Sequence, residues 1–184
     1  MNNKVHGIFL ALAIMLFYSM SAASVVNAVQ SERPNIIVIY TDDQGYGDVS
    51  YLNPGAKFQT SNMDRLASEG ISFTNAHCSD AVCTPSRYSL LTGRYCWRTV
   101  KKNGVLGSEA KCLITDDRMT LASLLRDNGY NTAMVGKWHQ GMDFPGEHGN
   151  RDWSKPVKDM PLDKGFDYYY GIPASMNFGV VALF

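Results

Sequence analysis

Asp42 and Asp43 stand side by side in "TDDQGYGD", a polar, glycine-rich stretch. Adjacent carboxylates are hard oxygen ligands that suit Ca2+ or Mg2+ better than zinc, although a bare Asp pair is commonly a solvated turn. Cys83 opens "CTPSRYSLLTGR", with Pro85 and Arg87 close behind it. No second Cys or His at helical spacing marks Cys83 as a zinc ligand. It reads as a core thiol, as half of a disulfide, or as a thiolate nucleophile favoured by a helix N-terminus and by Arg87. Lys137 and His139 are two apart in "GKWHQG". On extended backbone alternate residues share a side, so both can enter one pocket while Trp138 packs elsewhere. The pair combines anion binding with proton transfer. His77 and His148 have no comparable setting.

These residues need elements to bring them together. "NIIVIY" is a continuous apolar, β-branched run and predicts a strand buried on both faces, with Asp42 and Asp43 just past its end. "TSNMDRLASEG" predicts a helix capped at Thr60 or Ser61, with Met63, Leu66 and Ala67 at helical spacing and Gly70 as the stop. "ISFTNAHC" reads as a second strand. Thr84 as cap and Pro85 in the first turn predict a helix start that places Cys83 at a helix N-terminus. Thr120 caps a helix over "LASLLRDNG", and "YNTAMVG" predicts the strand that delivers Lys137 and His139. Alternating strands and helices indicate an α/β fold with a mostly parallel central sheet flanked by helices. In such sheets ligands bind at the carboxyl ends of the strands, where the carboxylates, the cysteine and the Lys-His pair all fall. The long polar stretch after residue 141 has the length of a site-lining loop.

Net charge is zero, which gives no electrostatic grip on nucleic acid. Lys4 and His6 precede the apolar run "GIFLALAIMLFY", and small residues follow it. That pattern predicts a signal peptide over residues 1–28, cleaved after Ala28, with Ser21-Ala22-Ala23 as the other candidate. The run is too short for a stable membrane span. The protein is therefore expected to be exported, periplasmic or secreted. An oxidising compartment permits disulfides. If Cys83 is kept for chemistry, Cys78, Cys96 and Cys112 leave at most one pair.

"CTPSRYSLLTGR" resembles the signature of the type I, formylglycine-dependent sulfatases, Cys-x-Pro-Ser-Arg followed by Leu-Thr-Gly-Arg. "RPNIIVIYTDDQGYGD", "NMDRLASEGISFTNAHC" and "GKWHQG" are similar to that family's other N-terminal blocks, in the same order; Ser61 departs from its usual proline. The resemblance implies an alkaline-phosphatase-like fold, with residues 29–184 as the N-terminal part of a catalytic domain. It implies that a formylglycine-generating or sulfatase-maturating enzyme oxidises Cys83 to Cα-formylglycine, whose hydrate attacks the sulfur of an aryl or carbohydrate sulfate ester. Asp42, Asp43 and an oxygen of modified Cys83 would ligate Ca2+, with Mg2+ the lesser candidate. Arg87 would orient the hydrate, Lys137 would hold the sulfate oxygens, and His139 would act as base for sulfate elimination. Further ligands of the family lie later than Phe184, so the chain reads as an N-terminal fragment, inactive alone. A phosphodiester or phosphonate monoester hydrolase of the same superfamily, and a secreted non-catalytic binding remnant, are the rival readings.

Overall fold

A computed structural model of the chain describes residues 33–176 and 183–184. Two units divide it, Met1–Thr41 and Asp42–Phe184. The expected signal segment lies outside the described residues. Among those that are described, no helix is long and apolar enough to cross a membrane.

In the first unit, residues 33–41 form neither helix nor strand. The strand expected over "NIIVIY" is absent, and Ile37 and Ile39 are 84% and 76% exposed. A strand apolar on both faces persists only where neighbours supply its ladder bonds and cover both sides. Neither described ladder includes this segment.

The second unit carries the elements that position the candidate site. Helix α1 spans Ser61–Glu69 and ends at Gly70, as its glycine stop predicts. The hydroxyl of its cap residue Thr60 does not accept from the helix amides but donates to the Asp64 carboxylate, which also accepts from Ser50 and Tyr51. The apolar stripe of α1 is not buried in this structure. The strand expected over "ISFTNAHC" is likewise absent, with Ile71 and Phe73 exposed.

Helix α2 spans Cys83–Thr92 and begins earlier than expected. Extended Val82 is its cap, and Gly93 in the left-handed region (φ 63) ends it. Thr84 therefore sits inside the first turn rather than ahead of it. Helix α3, Leu121–Asp127, is capped at Thr120 as expected, with the Ser123 amide donating to its hydroxyl.

Strand β1, Ala133–Lys137, follows α3 and pairs in parallel with β4, Tyr168–Ile172. Between them run the short strands β2, Gly146–Glu147, and β3, Asn150–Arg151, which pair antiparallel, and a 3-10 turn at Pro161–Lys164. The parallel sheet has two strands among the described residues, smaller than the alternating pattern predicts. One of its faces meets the core through Met134 and Tyr169, while Val135, Tyr168 and Tyr170 on the other face are exposed. Thr132 fixes the start of the pair, donating to the Gly165 carbonyl and accepting from the Asp167 amide.

Tyr88 of α2, Leu113, Ile114, Trp138, Met142, Phe144 and Tyr169 of β4 form one buried cluster with Cys96. None of the four cysteines is in a disulfide. Cys96 and Cys112 point their thiols at the Lys101 and Ile114 carbonyls, and Cys78 lies against the Ser86 hydroxyl. Burial pushes the Cys96 thiol up and carries the Cys112 thiol to about 11, so both stay protonated and inert.

Candidate active site

Helix α2 presents Cys83 from its first helical position. There the amides of the first turn lack intrahelical acceptors and the dipole favours negative charge. Arg87, four residues on, shares that face of the helix. Its Nη2 donates to Oδ2 of Asp42 at 3.0 Å and its Nη1 to the Lys137 backbone carbonyl at 2.7 Å. Lys137 Nζ donates to the same Asp42 oxygen at 2.7 Å. One carboxylate oxygen thus gathers two cations, one from α2 and one from the end of β1. The Lys137 hydrogen bond holds the Asp42 carboxyl below its usual range; burial opposes this and Arg87 adds to it.

The β1–β4 ladder continues past Lys137, with the Trp138 amide donating to Ile172 and the His139 amide to Pro173. Trp138 turns into the core and is fully buried. His139 then departs from the extended path expected for it: its φ is 54, a left-handed value that non-glycine residues seldom adopt. Its ring is buried, and Nε2 lies 2.9 Å from the Leu106 carbonyl. A carbonyl only accepts, so Nε2 carries the proton and Nδ1 is the acceptor of the ring. Burial, reinforced by Lys137 and Arg87, holds the imidazole below its ordinary value against the pull of the Leu106 carbonyl and Asp42. His139 is therefore a neutral base at neutral pH.

Three participants carry no chemical signal in the sequence. Buried Thr84 accepts from the Leu106 amide at 3.1 Å through its hydroxyl, and its carbonyl accepts from Gln140 Nε2 at 2.9 Å. Thr84, Leu106, His139 and Gln140 close a ring that pins the first turn of α2 to the segment leaving β1. The place of Gln140 beside His139 is the one hint of this, because Leu106 takes part through its backbone alone. Gly141 completes the arrangement at φ 80, where a Cβ would stand 2.1 Å from the Lys111 carbonyl oxygen. No other residue fits there.

Asp43 is exposed and left-handed at φ 59. Among the described residues, no three His, Cys, Asp or Glu side chains converge as a metal cage. The two adjacent carboxylates nonetheless suit a hard cation, supplying part of the roughly six to eight oxygens that Ca2+ takes. Arg87, Lys137, Asp42 and His139 are brought together; Cys83 stands one helical turn from Arg87.

Residues 34–178 match the family model described as Sulfatase. The chain belongs to the sulfatase family. Among curated sulfatases it is 40% identical over 151 residues to an N-acetylgalactosamine-6-O-sulfatase of Bacteroides thetaiotaomicron, covering 82% of this chain and 29% of that one. It is 39% identical over 166 residues to arylsulfatase G of Mus musculus, covering 89% of this chain and 28% of the relative. A solved structure from work on the metabolism of multiple glycosaminoglycans by Bacteroides thetaiotaomicron aligns with a TM-score of 0.73 at 39% identity, over 83% of this chain and 31% of that one. The fold is thus the alkaline-phosphatase-like α/β fold of sulfatases. This sulfatase chain spans less than a third of the length of those relatives.

Proposed function

We propose that the protein is a sulfatase that hydrolyses sulfate esters of carbohydrates, with residue 83 as the reacting position. The reading rests on one juxtaposition: Cys83 opens α2 one turn from Arg87, whose guanidinium joins Asp42 to the Lys137 carbonyl. A sulfate ester carries its charge on oxygens around one sulfur, and it requires fixed cations and a nucleophile at a point where negative charge is welcome. An N-acetylgalactosamine-6-O-sulfatase and a structure from glycosaminoglycan metabolism support a carbohydrate sulfate, whereas the name of arylsulfatase G points to an aryl ester.

Lys137 and Arg87 hold sulfate oxygens, and Asp42 keeps both cations in place before substrate arrives. His139, its tautomer fixed by the Leu106 carbonyl, takes a proton at Nδ1. Cα-formylglycine, made from Cys83 by a maturation enzyme, would supply the attacking oxygen as a hydroxyl of its hydrate. Asp42 and Asp43 would hold Ca2+, with an oxygen of residue 83, and the ion supplies charge stabilisation there. The N-terminal segment directs export to the periplasm or medium.

Steady-state hydrolysis of 4-nitrophenyl sulfate and 4-nitrophenyl phosphate by the complete gene product tests the reading. Sulfate ester turnover well above phosphate turnover is expected. Preference for the phosphate ester would assign the site to a phosphoesterase.

A further inference from the structure

A cleft of about 610 Å³ opens between residues 109–111 and the excursion from Met142 to Lys158. Its basic side chains are Lys111, Arg151, Lys155 and Lys158, against Glu109 and Asp143. Glu109 is already neutralised: its buried carboxylate pairs with Arg151. Arg151 also donates to the Phe144 and Gly146 carbonyls, so it braces the walls rather than facing a ligand. Burial pushes the Glu109 carboxyl up, and the Arg151 hydrogen bond and the Gly149 amide outweigh it. Lys155 pairs with Asp152. Lys111 and Lys158 make no ion pair among the described residues, and they line the cleft from separate segments.

The walls are fixed. The Met142 amide donates to the Ala110 carbonyl, and Asp143 and Lys158 exchange backbone hydrogen bonds at 2.8 and 3.0 Å. The floor includes Phe144, against which exposed Trp153 packs edge-on at 6.0 Å. A cavity of this size, with more basic than acidic residues in its lining and an exposed indole on its Phe144 wall, suits an anionic sugar ring.

Its place relative to His139 is also set. Segments 106–113 and 139–144 run together, joined by His139 to Leu106, Leu113 to Gln140 and Met142 to Ala110. His139 stands at one end of this seam and the cleft begins at Met142, three residues on, at most about 11 Å of chain.

We propose that this cleft is a second anion subsite, in which Lys111 and Lys158 bind a sulfate or carboxylate on a neighbouring ring of the same carbohydrate. The proposal rests on the sulfate-ester reading of the adjoining site, and it makes the natural substrate a polyanionic chain.

Calorimetric titration of the complete gene product carrying Cys83→Ala, which turns nothing over, tests it. The probes are a disaccharide with one 6-O-sulfate, the same disaccharide with a second sulfate on the other ring, and its analogue with a uronate there. Lys111→Ala/Lys158→Ala is expected to weaken a doubly anionic probe about tenfold and the monosulfated probe less than about twofold. Lys111→Arg/Lys158→Arg keeps the affinity, which shows that charge and not folding is at issue. Loss confined to the disulfated or the uronate probe identifies the anion. Equal loss for all three probes, or loss for none, overturns the subsite. Hydrolysis of the monosulfated disaccharide by the unsubstituted protein is scored apart: if it fails while the binding pattern holds, the sulfatase reading falls and the subsite stands.

Discussion

Asp42 and Lys137 lie 95 positions apart in sequence, yet the lysine Nζ donates to the aspartate Oδ2 at 2.7 Å. Arg87 reaches the same oxygen from α2. The carboxylate is therefore the hinge on which both cations are set, and it stands at the edge of solvent rather than in the core.

Asp42→Asn should accordingly separate activity from stability. Removing the charge frees both cations and, with Ca2+ bound as proposed, would cost a metal ligand, so kcat for sulfate ester hydrolysis should fall by about 10²–10³. Because the pair is partly exposed, unfolding free energy should change by no more than about 1 kcal/mol. Kinetics and thermal unfolding of the same preparation check this.

With His139 as the proposed base, its titration should set the acid side of the pH profile. Its pKa is held below 6.5 in the folded protein by burial and by Lys137 and Arg87. The base is therefore competent from below pH 6.5 upward, and kcat should decline only as pH falls through that depressed value. The same shift means that the unfolded chain takes up the proton first, so stability should decrease as pH drops below 6.5. His139→Gln should lose both the acid limb and this part of the stability profile, as read from pH–rate curves and pH-dependent melting.

Thr84 tests the ring that holds the histidine. Thr84→Val keeps the volume but leaves the Leu106 amide without its acceptor, at a cost of about 1–3 kcal/mol. Thr84→Ser should restore most of that stability. Denaturant unfolding of both variants gives the comparison.

Much of this arrangement is legible from local chemistry. Gly70 and Thr120 mark helix ends because their backbone or hydroxyl roles are decided within one turn, and β1 follows from its short run between turn signals. Thr84 misleads for a physical reason: a threonine before a proline fits a cap, but its hydroxyl serves the Leu106 amide, 22 residues away. Val82, already extended, starts the helix instead. His139 misleads because alternation assumes extended backbone, whereas it turns left-handed with its amide on the Pro173 carbonyl and its ring on that of Leu106. The apolar runs at 35–40 and 71–78 carry strand composition, but composition does not supply the neighbouring strands that ladder bonds require. No periodicity registers Asp42 meeting Lys137, since that contact depends on how distant segments fold together.

The most direct test of the sulfatase account counts turnovers by Cys83→Ser, made as the complete gene product in a host that does not oxidise serine at this motif. A serine hydroxyl beside Arg87 can still attack the sulfur of 4-nitrophenyl sulfate and expel the phenolate. Serine has no second geminal hydroxyl, so sulfate cannot then leave by elimination. The account predicts many turnovers for the unsubstituted protein and about one for the variant, with intact mass spectrometry placing a sulfate ester on residue 83. Sustained turnover by Cys83→Ser at a rate near that of the unsubstituted protein would contradict it.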